Sequence, residues 1–271
     1  MAAHWAALEK MGKFFIVGHR GAAAYAPENT LLSLEEAVVR HADMVEFDLR
    51  KTADGLIVLL HDRTIVTTAG ESKPISKMRF KELRDLAERQ GRKLATLDEV
   101  LIGFGPRIPL NIEIKGGGFE AQVIEHLRNR PPDYEPILSS FLPRTVARIK
   151  RLDRKLKTAL ILGRQGLARF NILAWPLVRK IVQALRIDSI HLRESIASPA
   201  AVENLSRAGL SVFIWTVNDP DSMRRFLKMG VDGIITDKPD VLYDICIEMA
   251  GSDRPILRRE PGKFWKFAYA A

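Results

Sequence analysis

The sequence is poor in cysteine and has no long apolar segment. Cys246 is the single cysteine among 271 residues, which excludes an intramolecular disulfide and a cysteine-ligated zinc site. No segment approaches the roughly 20 consecutive apolar residues that a membrane-spanning helix requires. Residues 1–13 lack the apolar core and the small-residue cleavage site of a secretory signal. These absences predict a cytoplasmic protein, with peripheral contact to a membrane left open.

Acidic residues are outnumbered, and in one segment they are missing. The 42 Lys and Arg against 33 Asp and Glu give a net charge of +9, which favours anionic partners such as phosphate compounds, lipids or nucleic acid. From Arg154 to Ile187 there is no acidic residue, and the stretch from Phe170 to Val178 is strongly apolar. Such a segment is typical of helices that lie on a membrane surface, but a buried helix with a basic solvated face has the same pattern.

Short apolar runs alternate with segments of helical period through most of the chain. This alternation is typical of parallel βα units, and eight units predict a (β/α)8 TIM barrel over residues 14–250, with an open doubly wound sheet as the alternative. The predicted strands are 14–17, 44–49, 110–114, 136–140, 158–162, 189–192, 212–217 and 233–236. Predicted helices include 30–40, 120–128, 143–152, 199–208 and 220–229, with Asn29, Ser198 and Asp219 available as N-caps.

About sixty residues separate the second and third predicted strands, which is more than one helical crossover needs. An extra strand over 56–60 ends at His61, and a charged helix around 81–89 follows. We interpret residues 62–95 as a small insertion at the carboxyl end of the barrel, where the active sites of such barrels lie. Residues 1–13 are predicted to be an N-terminal extension, and 251–271 a basic, aromatic tail. This tail and the segment 164–186 are the candidate contacts with a membrane.

Two neighbouring strands carry acidic residues at inward positions. One residue separates Glu46 from Asp48, so both side chains project from the same face of the second strand. Glu113 lies on the third strand, on the face that also carries Asn111 and Lys115. Buried like charges repel each other unless a cation joins them, and carboxylate ligands suit Mg²⁺ or Ca²⁺ better than zinc. The sequence therefore predicts a divalent metal site in the barrel.

Two histidines lie where predicted strands end. His19 precedes Arg20 after the first strand, and His61 closes the extra strand. Hydrolysis of a phosphodiester needs one group to attack or accept a proton and another to protonate the leaving alkoxide. Arg20 offers a planar set of donors that suits a phosphate. Taken alone, each histidine is better explained as an ordinary residue: His19 as a hydrogen-bonded residue at a strand end, and His61 as a loop residue without a catalytic task.

Taken in order, these motifs resemble the signature of the glycerophosphodiester phosphodiesterase family. The resemblance covers about residues 14 to 245, and it rests on five motifs: His19-Arg20-Gly21, Pro27-Glu28-Asn29-Thr30, Glu46-x-Asp48, His61-Asp62 and Glu113-Ile114-Lys115. It implies a (β/α)8 barrel that converts a glycerophosphodiester and water into sn-glycerol 3-phosphate and an alcohol.

The resemblance also implies a role for each residue of these motifs. Glu46, Asp48 and Glu113 are expected to bind the metal, Mg²⁺ or Ca²⁺, and His19 and His61 to carry out acid–base or nucleophilic catalysis. Arg20 and Lys115 are expected to bind the phosphate. Glu28 and Asn29 would support the site from the first loop. Trp215 is expected either to contact the substrate or to pack in the core. For Asp237 we favour an N-cap of the last helix over a place in the site.

Two other functions stay open at this point. One is a lysophospholipase D that acts on lysophospholipids at a membrane surface, which the basic and apolar segment 164–186 favours. The other is a non-catalytic barrel that binds anionic lipid or nucleic acid. Because all three carboxylates and both histidines of the motifs are present, we expect an enzyme that acts on a small glycerophosphodiester or a lysophospholipid, with no nucleic-acid partner.

Overall fold

Eight parallel strands form a closed barrel in the computed structural model, which describes residues 14–163 and 175–250. The strands in chain order are β1 (Phe15–Gly18), β2 (Met44–Lys51), β3 (Ile57–Leu59), β4 (Thr64–Val66), β5 (Ser72–Pro74), β6 (Leu110–Ile114), β7 (Ile137–Ser140), β8 (Lys157–Leu162), β9 (Ser189–Arg193), β10 (Ser211–Trp215) and β11 (Gly233–Thr236). The barrel order is β1, β2 and then β6 to β11, and β1 pairs with both β2 and β11. The predicted TIM barrel is confirmed, and the open sheet is excluded.

Helices follow the barrel strands and cover the outside of the barrel. They are α1 (Leu31–Val39), α2 (Phe80–Arg89), α3 (Leu97–Gly103), α4 (Glu120–Asn129), α5 (Pro143–Leu152), α6 (Trp175–Leu185), α7 (Pro199–Arg207), α8 (Pro220–Met229) and α9 (Pro239–Ala250). Ser198 and Asp219 are N-caps, as predicted. Asn29 is not: Thr30 caps α1, because Asn29 is in the left-handed region at φ 58° and its side chain contacts Asp48 instead.

Successive side chains of the barrel strands point alternately toward the surrounding helices and toward the barrel interior. Val45, Phe47 and Leu49 of β2 are fully buried in the apolar layer between barrel and helices. The interior contains a separate apolar cluster of Phe15, Val17, Met44, Ile137, Ala159, Phe213 and Ile235. The polar inward positions of β2 and β6 are therefore set among well-packed side chains, which hold them in place.

The chain that follows β2 brings His61 to the barrel. Strand β3 runs antiparallel to the end of β2, with Leu59 opposite Leu49. Arg50 then donates a hydrogen bond from Nε to the carbonyl oxygen of His61 over 2.9 Å. The hairpin β4–β5 and helix α2 follow, packed on an apolar cluster that includes Leu60 and Leu83. The chain after β2 thus returns His61 to the carboxyl end of the strand that carries two of the predicted metal ligands.

Part of the basic segment predicted to contact a membrane can be followed in the structure. Residues 164–174 and the tail 251–271 lie outside the described residues, as do residues 1–13. Helix α6 lies on the outer layer of the barrel, where Val182 is buried. Over residues 175–185, this packing agrees with the interpretation of the segment as a helix buried against the protein and not as one that lies on a membrane. None of the helices in residues 14–163 and 175–250 combines the length and the apolar character of a membrane-spanning helix.

Candidate active site

Three carboxylates converge inside the barrel. Glu46, Asp48 and Glu113 each place one carboxylate oxygen within 4.8 Å of the others, and their exposed fractions are only 5%, 1% and 6%. The arrangement follows from strand register, because Asp48 of β2 lies directly opposite Glu113 of β6. The structure thus brings together the three side chains that the sequence predicted to lie close to one another.

Two cationic side chains face the three carboxylates. Lys115 Nζ lies 3.1 Å from Asp48 Oδ1 and 2.7 Å from Glu113 Oε1. Arg20 Nε lies 3.3 Å from Asp48 Oδ2, and its Nη1 donates to Glu28 Oε2 over 2.7 Å. Two cations thus face three carboxylates, and Arg20 is in addition paired with Glu28, so the positive charge does not balance the negative charge of the site.

The pKa values of the carboxyls reflect this shortage of positive charge. Burial and the neighbouring carboxylates Asp48 and Glu113 raise the pKa of Glu46 well above its ordinary value. Burial and Asp48 raise the pKa of Glu113 to about 8. Burial also acts on Asp48, but Lys115 and Arg20 hold the pKa of this carboxyl below its ordinary value. The three carboxylates are buried, and their negative charge exceeds the positive charge of the side chains around them. Such a set of hard oxygen ligands fits a divalent cation such as Mg²⁺ or Ca²⁺.

The loop after β1 supports the carboxylates. Asn29 donates from Nδ2 to Asp48 Oδ2 and accepts from the Asp48 amide through Oδ1, both over 2.9 Å. The amide of Arg20 donates to Glu46 Oε2 over 2.8 Å. Gly21 lets the loop turn here, because a Cβ on it would lie 2.3–2.4 Å from atoms of Ser33. The predicted support by Glu28 and Asn29 therefore has a geometric basis, Glu28 acting through Arg20.

Asp237 holds His19, and the expectation that it caps the last helix is wrong. Its Oδ1 lies 2.6 Å from His19 Nδ1, and its Oδ2 accepts from Asn218 Nδ2 over 2.5 Å. Although burial opposes ionisation, the hydrogen bond from His19 contributes most to keeping the pKa of Asp237 below its ordinary value. Asp237 follows the last barrel strand, and β11 pairs with β1, whose end carries His19. The position of Asp237 at a strand end was the available signal in the sequence.

His61 has a more open environment. Its Nδ1 lies 2.9 Å from Asp62 Oδ1, and about a third of the His61 side chain is exposed, against 69% for Asp62. Burial and the positive charge of Lys115 lower the pKa of His61, against the opposite effect of Asp48. The two histidines therefore differ: a partly buried carboxylate orients His19, whereas a solvent-exposed one contacts His61.

One cavity of about 150 Å³ connects these residues. Both histidines, Arg20, Lys115 and two of the three carboxylates line it. Trp215 and Phe141 form an aromatic wall with ring centroids 5.4 Å apart in an edge-to-face arrangement, and Trp215 Nε1 donates to the carbonyl oxygen of His191 over 3.0 Å. Trp215, predicted either to contact substrate or to pack in the core, lines the cavity and also contacts the interior apolar cluster. Phe141 had not been predicted to line the site.

His191, to which the sequence assigned no role, should make the protein less stable in acid. Burial lowers its pKa to about 3. Between about pH 6.5 and 3 the unfolded histidine binds a proton that the folded one does not, so unfolding takes up a proton and stability falls as pH falls. From pH 6.5 to 5 this one group should cost about 2 kcal/mol.

The measurement is the free energy of unfolding by urea at pH 7 and pH 5 for wild type and His191→Gln. We expect the variant to lose about 2 kcal/mol less than wild type between the two pH values. Comparing pH differences cancels the variant's own change in packing. The same pH dependence in both proteins would show that His191 titrates normally in the folded state.

The fold and the site together define a TIM-barrel hydrolase. The chain belongs to the glycerophosphoryl diester phosphodiesterase family, whose family model matches residues 19–241. It is 32% identical over 241 residues to the YhdW protein of Bacillus subtilis, with 84% of this chain and 96% of that protein covered. It is 30% identical over 248 residues to a glycerophosphodiester phosphodiesterase of Caldanaerobacter subterraneus subsp. tengcongensis, with coverage of 86% and 98%.

A solved structure adds a ligand to the comparison. The Oleispira antarctica phosphodiesterase in complex with the product sn-glycerol-3-phosphate superimposes with a TM-score of 0.71 and is 26% identical. The alignment covers 85% of this chain and 95% of that one. The family expected from the five motifs is thus confirmed over most of the chain.

Proposed function

We propose that this protein hydrolyses glycerophosphodiesters to sn-glycerol 3-phosphate and an alcohol, with a divalent metal on Glu46, Asp48 and Glu113. The observation that carries the proposal is the convergence of these buried carboxylates with two cations and two histidines around one cavity. A barrel that only bound anions would not need three buried carboxylates beside its cationic groups, because they repel an anion. Family membership and the product bound in the Oleispira antarctica relative support the choice of substrate.

A divalent cation at this site would neutralise charge that develops on the phosphoryl oxygens. Arg20 and Lys115 contribute fixed donors from the protein itself. Both are anchored by carboxylates, at 2.7 Å in each case, so they need little reorganisation when a phosphate binds. Their ion pairs also keep the two side chains beside the cavity that both histidines line, so that they orient the phosphate toward the histidines.

The histidines divide the proton transfers. In hydrolysis, the water's oxygen bonds to phosphorus while the bond to the leaving alcohol's oxygen breaks. We assign His19 as the base that takes the water's proton, since Asp237 stabilises the imidazolium that forms. The Nδ1 contact with Asp237 reserves Nε2 of His19 for this transfer. His61 then gives its proton to the leaving alkoxide, and its lowered pKa makes its protonated form a stronger donor.

The test of this function is a product assay. Purified protein with Mg²⁺ or Ca²⁺ should convert glycerophosphocholine into choline and sn-glycerol 3-phosphate in equal amounts, each measured by an enzyme-coupled assay. Glycerophosphoethanolamine, tested in parallel, shows how far the alcohol matters. Failure to turn over either diester with any divalent metal, although the protein binds inorganic phosphate, would instead support a non-catalytic binding barrel.

The alternative of a lysophospholipase D has no support in the described residues. It depended on the segment 164–186, of which residues 164–174 lie outside the description, while Val182 of helix α6 is buried against the barrel. The proposed substrate is therefore the small diester. Testing lysophosphatidylcholine in the same assay checks this choice. Faster turnover of lysophosphatidylcholine than of glycerophosphocholine would favour the lysophospholipase D instead.

A further inference from the structure

Three polar side chains of the cavity have no role in the chemistry described above. Asn111, Ser139 and His191 come from strands β6, β7 and β9 and are at most 1% exposed. Within the described residues, both polar atoms of the Asn111 amide, the Ser139 hydroxyl and His191 Nε2 have no hydrogen-bond partner. All three side chains line the same cavity as Glu46 and Glu113.

Unpaired buried polar groups are unusual at these positions. Buried donors and acceptors in folded proteins are nearly always paired, because an unpaired one loses its hydration without compensation. Other inward positions of the same cavity, Ile161 and Ile235, are apolar and carry no such cost. The concentration of unpaired groups from three different strands in a single cavity therefore indicates a ligand that supplies their partners.

The chemistry of these groups indicates hydroxyls rather than phosphate oxygens. The amide of Asn111 and the hydroxyl of Ser139 can each both donate and accept, as a hydroxyl partner requires. Neither carries a charge, and burial keeps the His191 imidazole neutral by lowering its pKa. The cationic groups that line the cavity, Arg20 and Lys115, are instead paired with the carboxylate of Asp48.

The remaining walls of the cavity suit a short carbon chain. Ile161, Ile235 and the Trp215 ring offer apolar surface around the polar groups. A volume of about 150 Å³ is several times the space that one water molecule needs. A small polyol, with hydroxyls on a short chain of carbons, matches both the polar and the apolar parts.

We propose that Asn111, Ser139 and His191 form a polar floor that recognises the hydroxyls of the glyceryl half of the diester, an inference that rests on the proposed function. The polar floor makes the enzyme selective for the glyceryl group, while Arg20 and Lys115 bind the phosphate. Loss of a floor residue removes a hydrogen bond to the substrate, so it should mainly raise KM for substrates that carry the recognised hydroxyl.

The experiment compares three p-nitrophenyl phosphodiesters that share one leaving group. Their other ester group is glyceryl, 2-hydroxypropyl or 3-hydroxypropyl, so each analogue lacks one of the two glyceryl hydroxyls. The full-length variants are Ser139→Ala and Asn111→Leu. Ser189→Ala is the matched control, because Ser189 is also buried with an unpaired hydroxyl but does not line the cavity.

Wild type and Ser189→Ala should share the same preference for the glyceryl substrate over the analogues, measured as a ratio of kcat/KM. In Ser139→Ala and Asn111→Leu the preference over at least one analogue should fall roughly 10-fold, chiefly through KM. Ser139→Ala removes one oxygen and no packing, so it decides the question if Asn111→Leu does not fold.

Unchanged preferences in Ser139→Ala and in a folded Asn111→Leu, with normal wild-type turnover, would overturn the polar floor and show that these groups serve buried water only. The absence of wild-type turnover on all three compounds would instead overturn the proposed function itself. Circular dichroism and Tm confirm the fold of each variant.

Discussion

Asp48→Asn should reduce turnover of glycerophosphocholine by about 10³-fold or more, and chelation of wild type should have the same effect. The substitution removes a charged ligand from the carboxylate set and leaves Arg20 and Lys115 without their shared partner. A divalent metal contributes several kcal/mol to phosphoryl transfer, which corresponds to a loss of this size. The measurement is kcat after exhaustive chelation, followed by titration with Mg²⁺ and, separately, with Ca²⁺.

Two variants make the result specific to the site. Glu35→Gln changes an exposed carboxylate that pairs with Arg107 away from the cavity, and its turnover should equal that of wild type. Glu46→Gln should also lose activity, but its Tm without metal should be unchanged or higher, because burial and repulsion by Asp48 and Glu113 disfavour the Glu46 charge. Full wild-type activity after thorough removal of metal would refute the assigned metal site.

His19→Ala and His61→Ala should each lower kcat on glycerophosphocholine by roughly 10²–10⁴-fold, the usual contribution of a positioned acid or base. The two variants should differ on a glyceryl p-nitrophenyl diester. Nitrophenolate is a good leaving group that needs no proton, so His61→Ala should recover much of its activity if His61 is the acid. His19→Ala should stay slow, because the attack on phosphorus still needs its base.

His126→Ala provides the control for these histidines. His126 Nδ1 also lies close to a carboxylate, 2.8 Å from Asp98 Oδ1, but it does not line the cavity. Its variant should behave as wild type on both substrates. Asp237→Asn should give a smaller loss than His19→Ala and should likewise show no recovery on the nitrophenyl diester. Recovery of His19→Ala in place of His61→Ala would exchange the two assignments.

The amino-acid sequence was sufficient to predict the barrel and the three carboxylates that meet inside it. The boundaries of 110–114 and 233–236 were predicted without error, because apolar runs of strand length between helical segments are a local property of the chain. Glu46 and Asp48 could be placed together for the same reason, since alternation along a strand assigns each side chain to one face. Glu113 joined them because consecutive parallel strands usually become neighbours.

Which residues meet across the barrel depends on the assembled fold and could not be predicted from the sequence. Asp237 lies 218 positions from His19, and the two meet because closure of the barrel places β11 beside β1. The three residues of the polar floor likewise come from three strands, and periodicity says only that each faces inward. Asn29 is of a residue type that is favoured at N-caps, but the left-handed backbone at this position directs its side-chain amide to Asp48. Local patterns record the face on which a side chain lies, whereas its partners depend on strand order, stagger and closure, which are properties of the assembled barrel.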